Sequence, residues 1–195
     1  LSNLNSLKNL TIGGCYNLTS LNLNGNTNLE SISFSFDINP HKLTSIDLSN
    51  LTSLKSFNCI TGGDLSSINL DGTINLEEFN VWDINIASID FSGLNNLKTV
   101  SIGSSNLETI NLLDNNNIEQ LSLGNNKLSS LNLNKLTKLD VLDVSNNQLE
   151  SLFIKNDANE SYLNFDDNPN LTYICADDSQ IDEIQAKIDS QGLSA

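Results

Sequence analysis

Three cysteines (Cys15, Cys59 and Cys175), a single histidine (His41) and the carboxylate-rich run from Asp166 to Asn170 are the residues of this chain best suited to chemistry. A cysteine nucleophile needs a neighbouring base or cation to hold it as a thiolate. His41 stands in an irregular segment and, counted in repeats, far from any cysteine, so no Cys/His or Ser/His arrangement is expected. Cys59 falls on an inward position and reads as a small core hydrophobe. The cysteines are too few and too scattered for a disulfide framework, and zinc-type spacing is absent. Gly13-Gly14 and Gly62-Gly63 are followed by no helical pattern, so they match no phosphate-binding loop. Calcium favours oxygen ligands such as Asp166, Asp167, Asn168, Asn170, Asp177 and Asp178. Lacking a twelve-residue loop that ends in Glu, these residues are expected to serve turns. The expectation is therefore no enzyme, no metal and no cofactor.

Charge narrows the partners. The chain carries 9 Lys, no Arg and 24 Asp+Glu, a net charge of -15. Such a surface repels phosphate backbones and anionic membranes, which makes nucleic acid an improbable partner. No apolar run approaches the roughly 20 residues that a membrane-spanning helix needs. Neither a start methionine nor a basic leader is present, and Leu1, Ser2, Asn3 and Leu4 already read as repeat sequence. The chain is expected to be a mature or excised piece of something longer.

The elements that would position any site follow from a ruler of aliphatic residues. The pattern L-x-x-L-x-L recurs at Leu7, Leu10, Ile12, at Leu18, Leu21, Leu23, at Leu29, Ile32, Phe34, and again at Leu97, Val100, Ile102 and Leu128, Leu131, Leu133. From Leu76 onward its starts alternate in steps of 10 and 11, so the true repeat is 21 residues in two unlike halves. Within each half, polar and apolar residues alternate with the period of a half-buried strand. Gly, Asn, Asp and Ser clusters between the halves supply turns. Two short strands per coil of 21–22 residues, stacked about eight times, predict a mainly parallel β-solenoid with two sheets, roughly 35 to 40 Å long at strand spacing.

Three features refine that picture. Asn126, Asn147 and Asn168, with Ser105 before them, fall 21 residues apart and are placed to bond free backbone groups of neighbouring turns. The longest irregularity is the 14-residue step from Leu29 to Leu43, which inserts residues around Phe36, Asp37, Ile38, Asn39, Pro40 and His41. Such an insertion is expected to loop out at one edge. After Cys175 the ruler stops, and Ile181, Ile184 and Ile188 mark a helical stripe with Asp178 or Ser179 as N-cap and Gly192 as C-cap. The reading is one domain, with a solenoid over 1–176 and a helical cap over 177–195.

The segments Ile118-Glu-Gln-Leu-Ser-Leu-Gly-Asn-Asn-Lys-Leu128 and Leu139-Asp-Val-Leu-Asp-Val-Ser-Asn-Asn-Gln-Leu149 resemble the defining segment of leucine-rich repeats. Their alternation with halves such as Leu65-Ser-Ser-Ile-Asn-Leu resembles the short, nested 21-residue bacterial class of that family, over roughly residues 4 to 176. The ending Leu171-Thr-Tyr-Ile-Cys-Ala-Asp-Asp, followed by the isoleucine-striped helix, also looks like repeat regions of secreted Bacteroidetes surface proteins. That resemblance implies a secreted or cell-surface location and recognition rather than catalysis.

Ligand selection requires variety, and the two faces differ in it. One presents near-identical outward ladders of Ser45, Ser67, Ser88, Thr109 and Ser130 beside Asp47, Asn69, Asp90, Asn111 and Asn132. The other varies through Asn58, Ile60, Glu78, Asn80, Trp82, Thr99, Ser101 and Tyr162, which form the candidate binding set. Trp82 follows the inward Val81 and should point to solvent, either to stack on a sugar or anchor a protein, or to fold over a coil junction. The expected function is a noncatalytic, monomeric module that binds an extracellular protein or polysaccharide. The alternatives are a structural spacer in a larger adhesin or an accessory domain of a carbohydrate-active enzyme.

Overall fold

A computed structural model describes residues 1–35, 41–60 and 63–191. The inserted residues 36–40, Gly62 and the expected C-cap Gly192 lie outside the described residues. Along the chain run β1 (Asn9–Gly13), β2 (Ser31–Ser35), β3 (Ser45–Asp47), β4 (Ser56–Ile60), β5 (Ser67–Asn69), β6 (Glu78–Trp82), β7 (Ser88–Asp90) and β8 (Thr99–Gly103). They are followed by β9 (Thr109–Asn111), β10 (Gln120–Ser122), β11 (Ser130–Asn132), β12 (Val141–Asp143), β13 (Ser151–Ile154), β14 (Tyr162–Asn164), β15 (Tyr173–Ala176) and α1 (Ile181–Gln191).

The result is a parallel β-solenoid of about seven turns closed by one helix. Its first face is an unbroken parallel sheet in the order β1-β2-β4-β6-β8-β10-β12-β14. The second face departs from expectation. It breaks into β3-β5, β7-β9 and β11-β13-β15, and the half that starts at Leu18 forms no strand. Most Cα–Cα separations between β5 and β7, and between β9 and β11, exceed 8 Å. A stack held at ladder spacing on one side and opened on the other bends toward its continuous sheet.

One turn position distinguishes the closed β7/β9 pair from the breaks on either side of it. Asn115 sends its amide to the Phe91 and Leu94 carbonyls of the preceding coil, at 3.0 and 2.9 Å, and so holds β9 against β7. The equivalent residues one coil earlier and later, Leu94 and Leu136, are buried and have no donor with which to do the same across β5/β7 or β9/β11. The central side chains follow the same two-coil rhythm: Ile46, Ile89 and Leu131 are buried, whereas Ile68 and Ile110 are only half-buried.

Inward positions form one continuous core, and part of it is aromatic. Phe34, Phe57, Phe79 and Phe91 pack ring to ring, with centroids 6.1, 5.5 and 5.0 Å apart in succession. Burial of each such side chain contributes roughly 1.5–3 kcal/mol before entropy is subtracted. The asparagine column behaves as its spacing implies. Asn147 donates to the Leu123 and Val144 carbonyls at 2.9 and 3.1 Å and accepts the Leu128 amide at 3.0 Å. Asn126 and Asn168 repeat the arrangement in their own coils. Each side chain satisfies buried backbone groups that no strand reaches.

The two ends differ. At the first, Leu7, Leu10, Ile12, Leu18 and Leu21 are only partly buried. At the last, Ile184 and Ile188 of α1 cover the core while Ile181 stays exposed. The helix also starts later than its expected N-cap. The Gln180 carbonyl accepts the Ile184 amide, which puts Gln180 in the cap position, while Asp178 reaches the Lys155 ammonium at 3.5 Å.

Candidate functional site

Register on the continuous face sets the candidate residues in three outward columns. Ser56, Glu78, Thr99 and Gln120 form the first; Ser33, Asn58, Asn80, Ser101 and Ser122 form the second; Ile60, Trp82 and Gly103 form the third. Seven of the candidates thus meet on β4, β6 and β8. Tyr162 does not join them. It lies on β14, four strands from β6, or about 19 Å at ladder spacing.

Within the patch, the Asn80 amide donates to the Asn58 carbonyl oxygen at 3.0 Å, which fixes the orientation of both side chains. Trp82 leans along the sheet onto the next coil. A Cβ placed on Gly103 would lie 2.0 Å from its Cζ3 atom, so the absence of a side chain at Gly103 is what lets the indole lie down. Trp82 nevertheless remains 44% exposed and Ile60, its register partner, 55%. Directly after Trp82 the backbone turns through Asp83, which has φ 55° and donates to the Gly103 carbonyl at 3.1 Å. The strand end that carries the indole is therefore anchored on both neighbouring coils, since the Asp83 carbonyl in turn accepts the Gly63 amide at 3.0 Å.

Beside the first column runs a rail of charges that alternates by coil. Lys8 pairs with Glu30 at 2.7 Å, Lys55 with Glu30 at 3.8 Å, and Lys98 with Glu77 at 2.7 Å. Hydrogen bonding to their partners, reinforced by charge, raises the Lys8 and Lys98 pKa values and lowers those of Glu30 and Glu77. These lysines are engaged along the rail, beside the columns of hydroxyls and amides.

The structure corrects one expectation directly. His41 is not remote from the cysteines: its Nε2 lies 3.8 Å from the Cys59 Sγ. The Leu43 amide donates to His41 Nδ1 at 3.1 Å, which leaves the proton on Nε2, facing the sulfur. Both residues are buried, and the imidazole meets the Phe34 ring edge-on at 5.7 Å. Burial pushes the Cys59 thiol up to about 12 and lowers the His41 pKa. An activated thiolate–imidazolium pair needs both shifts in the opposite sense. This pair is neutral and serves to fill the core where the insertion returns to the ruler.

Two acidic side chains near the last coils, Asp177 and Glu160, serve structure. Asp177 Oδ2 accepts the Asn156 and Asp157 amides at 3.1 and 2.9 Å. Glu160 accepts the Asn156 side-chain amide at 3.0 Å and a hydrogen bond from the Gln180 side-chain amide, tying the last coil to the segment before α1. Among the described residues no three His, Cys, Asp or Glu side chains converge as metal ligands.

On the second face the breaks open two grooves that the uniform ladders do not announce. One, of about 690 Å³, is lined by Ile68, Asp71, Ile89, Asp90 and Ile110 among others. The smaller, of about 440 Å³, lies between β9 and β11. Farther along that face Phe153 and Tyr173 pack with centroids 5.5 Å apart, an aromatic pair the ladder pattern also passes over.

No protein-family model matches the chain, and no curated protein matches it. Among solved structures it is similar to the functional domain of InlJ from Listeria monocytogenes, described as including a cysteine ladder. That match has 21% identity and a TM-score of 0.54 over 83% of this chain and 46% of the other. It also resembles an internalin (inlF) from Listeria monocytogenes, at 22% identity and a TM-score of 0.48 over 90% of this chain and 58% of the other. The chain spans about half the length of these solved chains. The fold is a leucine-rich-repeat solenoid. In that fold it is similar to internalins, and at such identity the likeness concerns the fold alone.

Proposed function

We propose that this solenoid is a noncatalytic binding module of a secreted or cell-surface bacterial protein, holding an extracellular protein or polysaccharide as a monomer on its continuous eight-stranded face. The observation that carries the reading is the exposed Trp82–Ile60 pair, set beside oriented amides on a face whose outward residues vary from its first coils. A rigid parallel sheet is a suitable platform, because every strand but the first and last is paired on both sides. The Bacteroidetes-like ending supports a surface location as part of the same proposal.

Trp82 is the only tryptophan, so its emission reports directly on the site. Candidate extracellular proteins and soluble polysaccharides can be titrated against that signal, with the result checked by co-elution. A ligand of this face should lose most of its affinity for Trp82→Ala, roughly tenfold or more, while the far-ultraviolet circular dichroism stays unchanged. A ligand bound equally well by Trp82→Ala would overturn the assignment of the face. A module to which nothing binds would instead match the spacer reading.

A further inference from the structure

We infer that the Trp82 patch takes a neutral polysaccharide laid along the solenoid axis, across the strands from β2 to β10. The inference rests on reading the continuous face as the binding surface, and it goes further by choosing the ligand class. Shape comes first. Gly103 leaves room for the six-membered ring of the indole beside the backbone, while the residue remains 44% exposed. An exposed indole packs against the C–H side of a sugar ring, whose hydroxyls stay free at its rim.

Hydrogen-bonding chemistry comes next. Alongside the indole, the column of Ser33, Asn58, Asn80, Ser101 and Ser122 offers hydroxyls and amides, which both donate and accept. The Asn80–Asn58 bond uses one donor and one acceptor and leaves the Asn58 amide N–H groups and the Asn80 carbonyl oriented but not consumed by each other. Five strands at ladder spacing give that column a length of about 19 Å, which suits a chain of several sugar rings better than a single one.

Charge then selects among glycans and against proteins. From Ser33 to Ser122 the column contains no ionisable side chain, the next residue in register is the carboxylate Asp143, and a net charge of -15 repels sulfated or uronic-acid polymers. A protein partner is less well matched, because stable protein interfaces bury a hydrophobic core of many residues. Here Ile60 and Trp82 are the two large apolar side chains in the three columns from β4 to β8.

Affinity electrophoresis of the whole chain through gels containing mannan, xylan, mixed-linkage β-glucan, a soluble α-glucan or polygalacturonate tests the inference, with Trp82 emission as second readout. At least one neutral polymer should retard the chain and shift the emission, and polygalacturonate should do neither. Trp82→Ala should abolish the retardation. Asn80→Asp, which puts a charge into the column, and Gly103→Ala, which lifts the indole off the sheet, should each weaken it roughly tenfold while Trp82 or its neighbours remain. Retardation by none of the neutral polymers would overturn the polysaccharide assignment. If a protein ligand is found instead and is lost in Trp82→Ala, the face keeps its role and only the ligand class falls. If a polysaccharide binds Trp82→Ala as tightly as the parent chain, both fall.

Discussion

The two faces of this solenoid invert one another. The continuous face has an unbroken hydrogen-bond ladder and irregular outward side chains, whereas the second, from β3 to β11, has regular outward side chains on a ladder that breaks twice. In a repeat protein, stability is summed over neighbouring coils, so a closed ladder can carry variable residues without losing order. Side-chain regularity and backbone regularity are therefore separate properties. The seven clustered candidate residues sit where the backbone is most constrained.

The largest expected effect tests what the two faces share. Phe79→Ala removes the ring that touches both Phe57 and Phe91, bridging the inward sides of the two faces. It should cost about 3–5 kcal/mol in urea unfolding, within the usual range for a fully buried phenylalanine. Asn147→Ala comes next. It leaves the Leu128 amide without its partner, while the Leu123 and Val144 carbonyls keep their bonds from Asn126 and Asn168, and the orphaned buried amide costs about 1–3 kcal/mol. A change below about 1 kcal/mol would show that water replaces the side chain, and the column would then not be what secures the continuous face.

A pH effect of intermediate size follows from His41. Its folded pKa is depressed by burial, so the unfolded chain takes up a proton that the folded chain refuses. Stability should therefore fall as pH drops below about 6.5, by at most about 1.4 kcal/mol per pH unit. His41→Leu should flatten that window. Asp47, Asp90, Glu30 and Glu77, whose pKa values are lowered, lose their contributions only in more acidic solution. The same buried pair predicts that a thiol reagent modifies Cys15 in the folded chain and reaches Cys59 only on unfolding.

The smallest effect is the most selective. Asn115→Leu removes the two bonds that hold β9 to β7 but also a buried side-chain oxygen with no partner, and its column neighbours Leu94 and Leu136 are already leucine. Global stability should change by less than about 1 kcal/mol. Amide exchange in β7 and β9 should nevertheless accelerate, because the second face would then be open there too.

The inward ruler and the asparagine column were legible because each is a local pattern repeated at fixed spacing, with residue type dictated by burial. The breaks in the second face were less visible. Their signal alternates every two coils, in Leu51, Thr73, Leu94, Asn115 and Leu136, and a 21-residue ruler averages it away. The pose of Trp82 was also present in the sequence, in Gly103 one coil later, but only when the third outward column is compared across coils. The His41–Cys59 contact was not legible, since it depends on how the path from Leu29 to Leu43 returns to the core rather than on any repeat.

Hydrogen–deuterium exchange of the free chain, resolved by residue, tests the contrast between the faces most directly. Amides within β4, β6 and β8 should exchange only with global unfolding, and those on the facing edges of β5/β7 and β9/β11 at least about tenfold faster. Equal protection on both faces would contradict the account, because the second face would then be a closed ladder like the first.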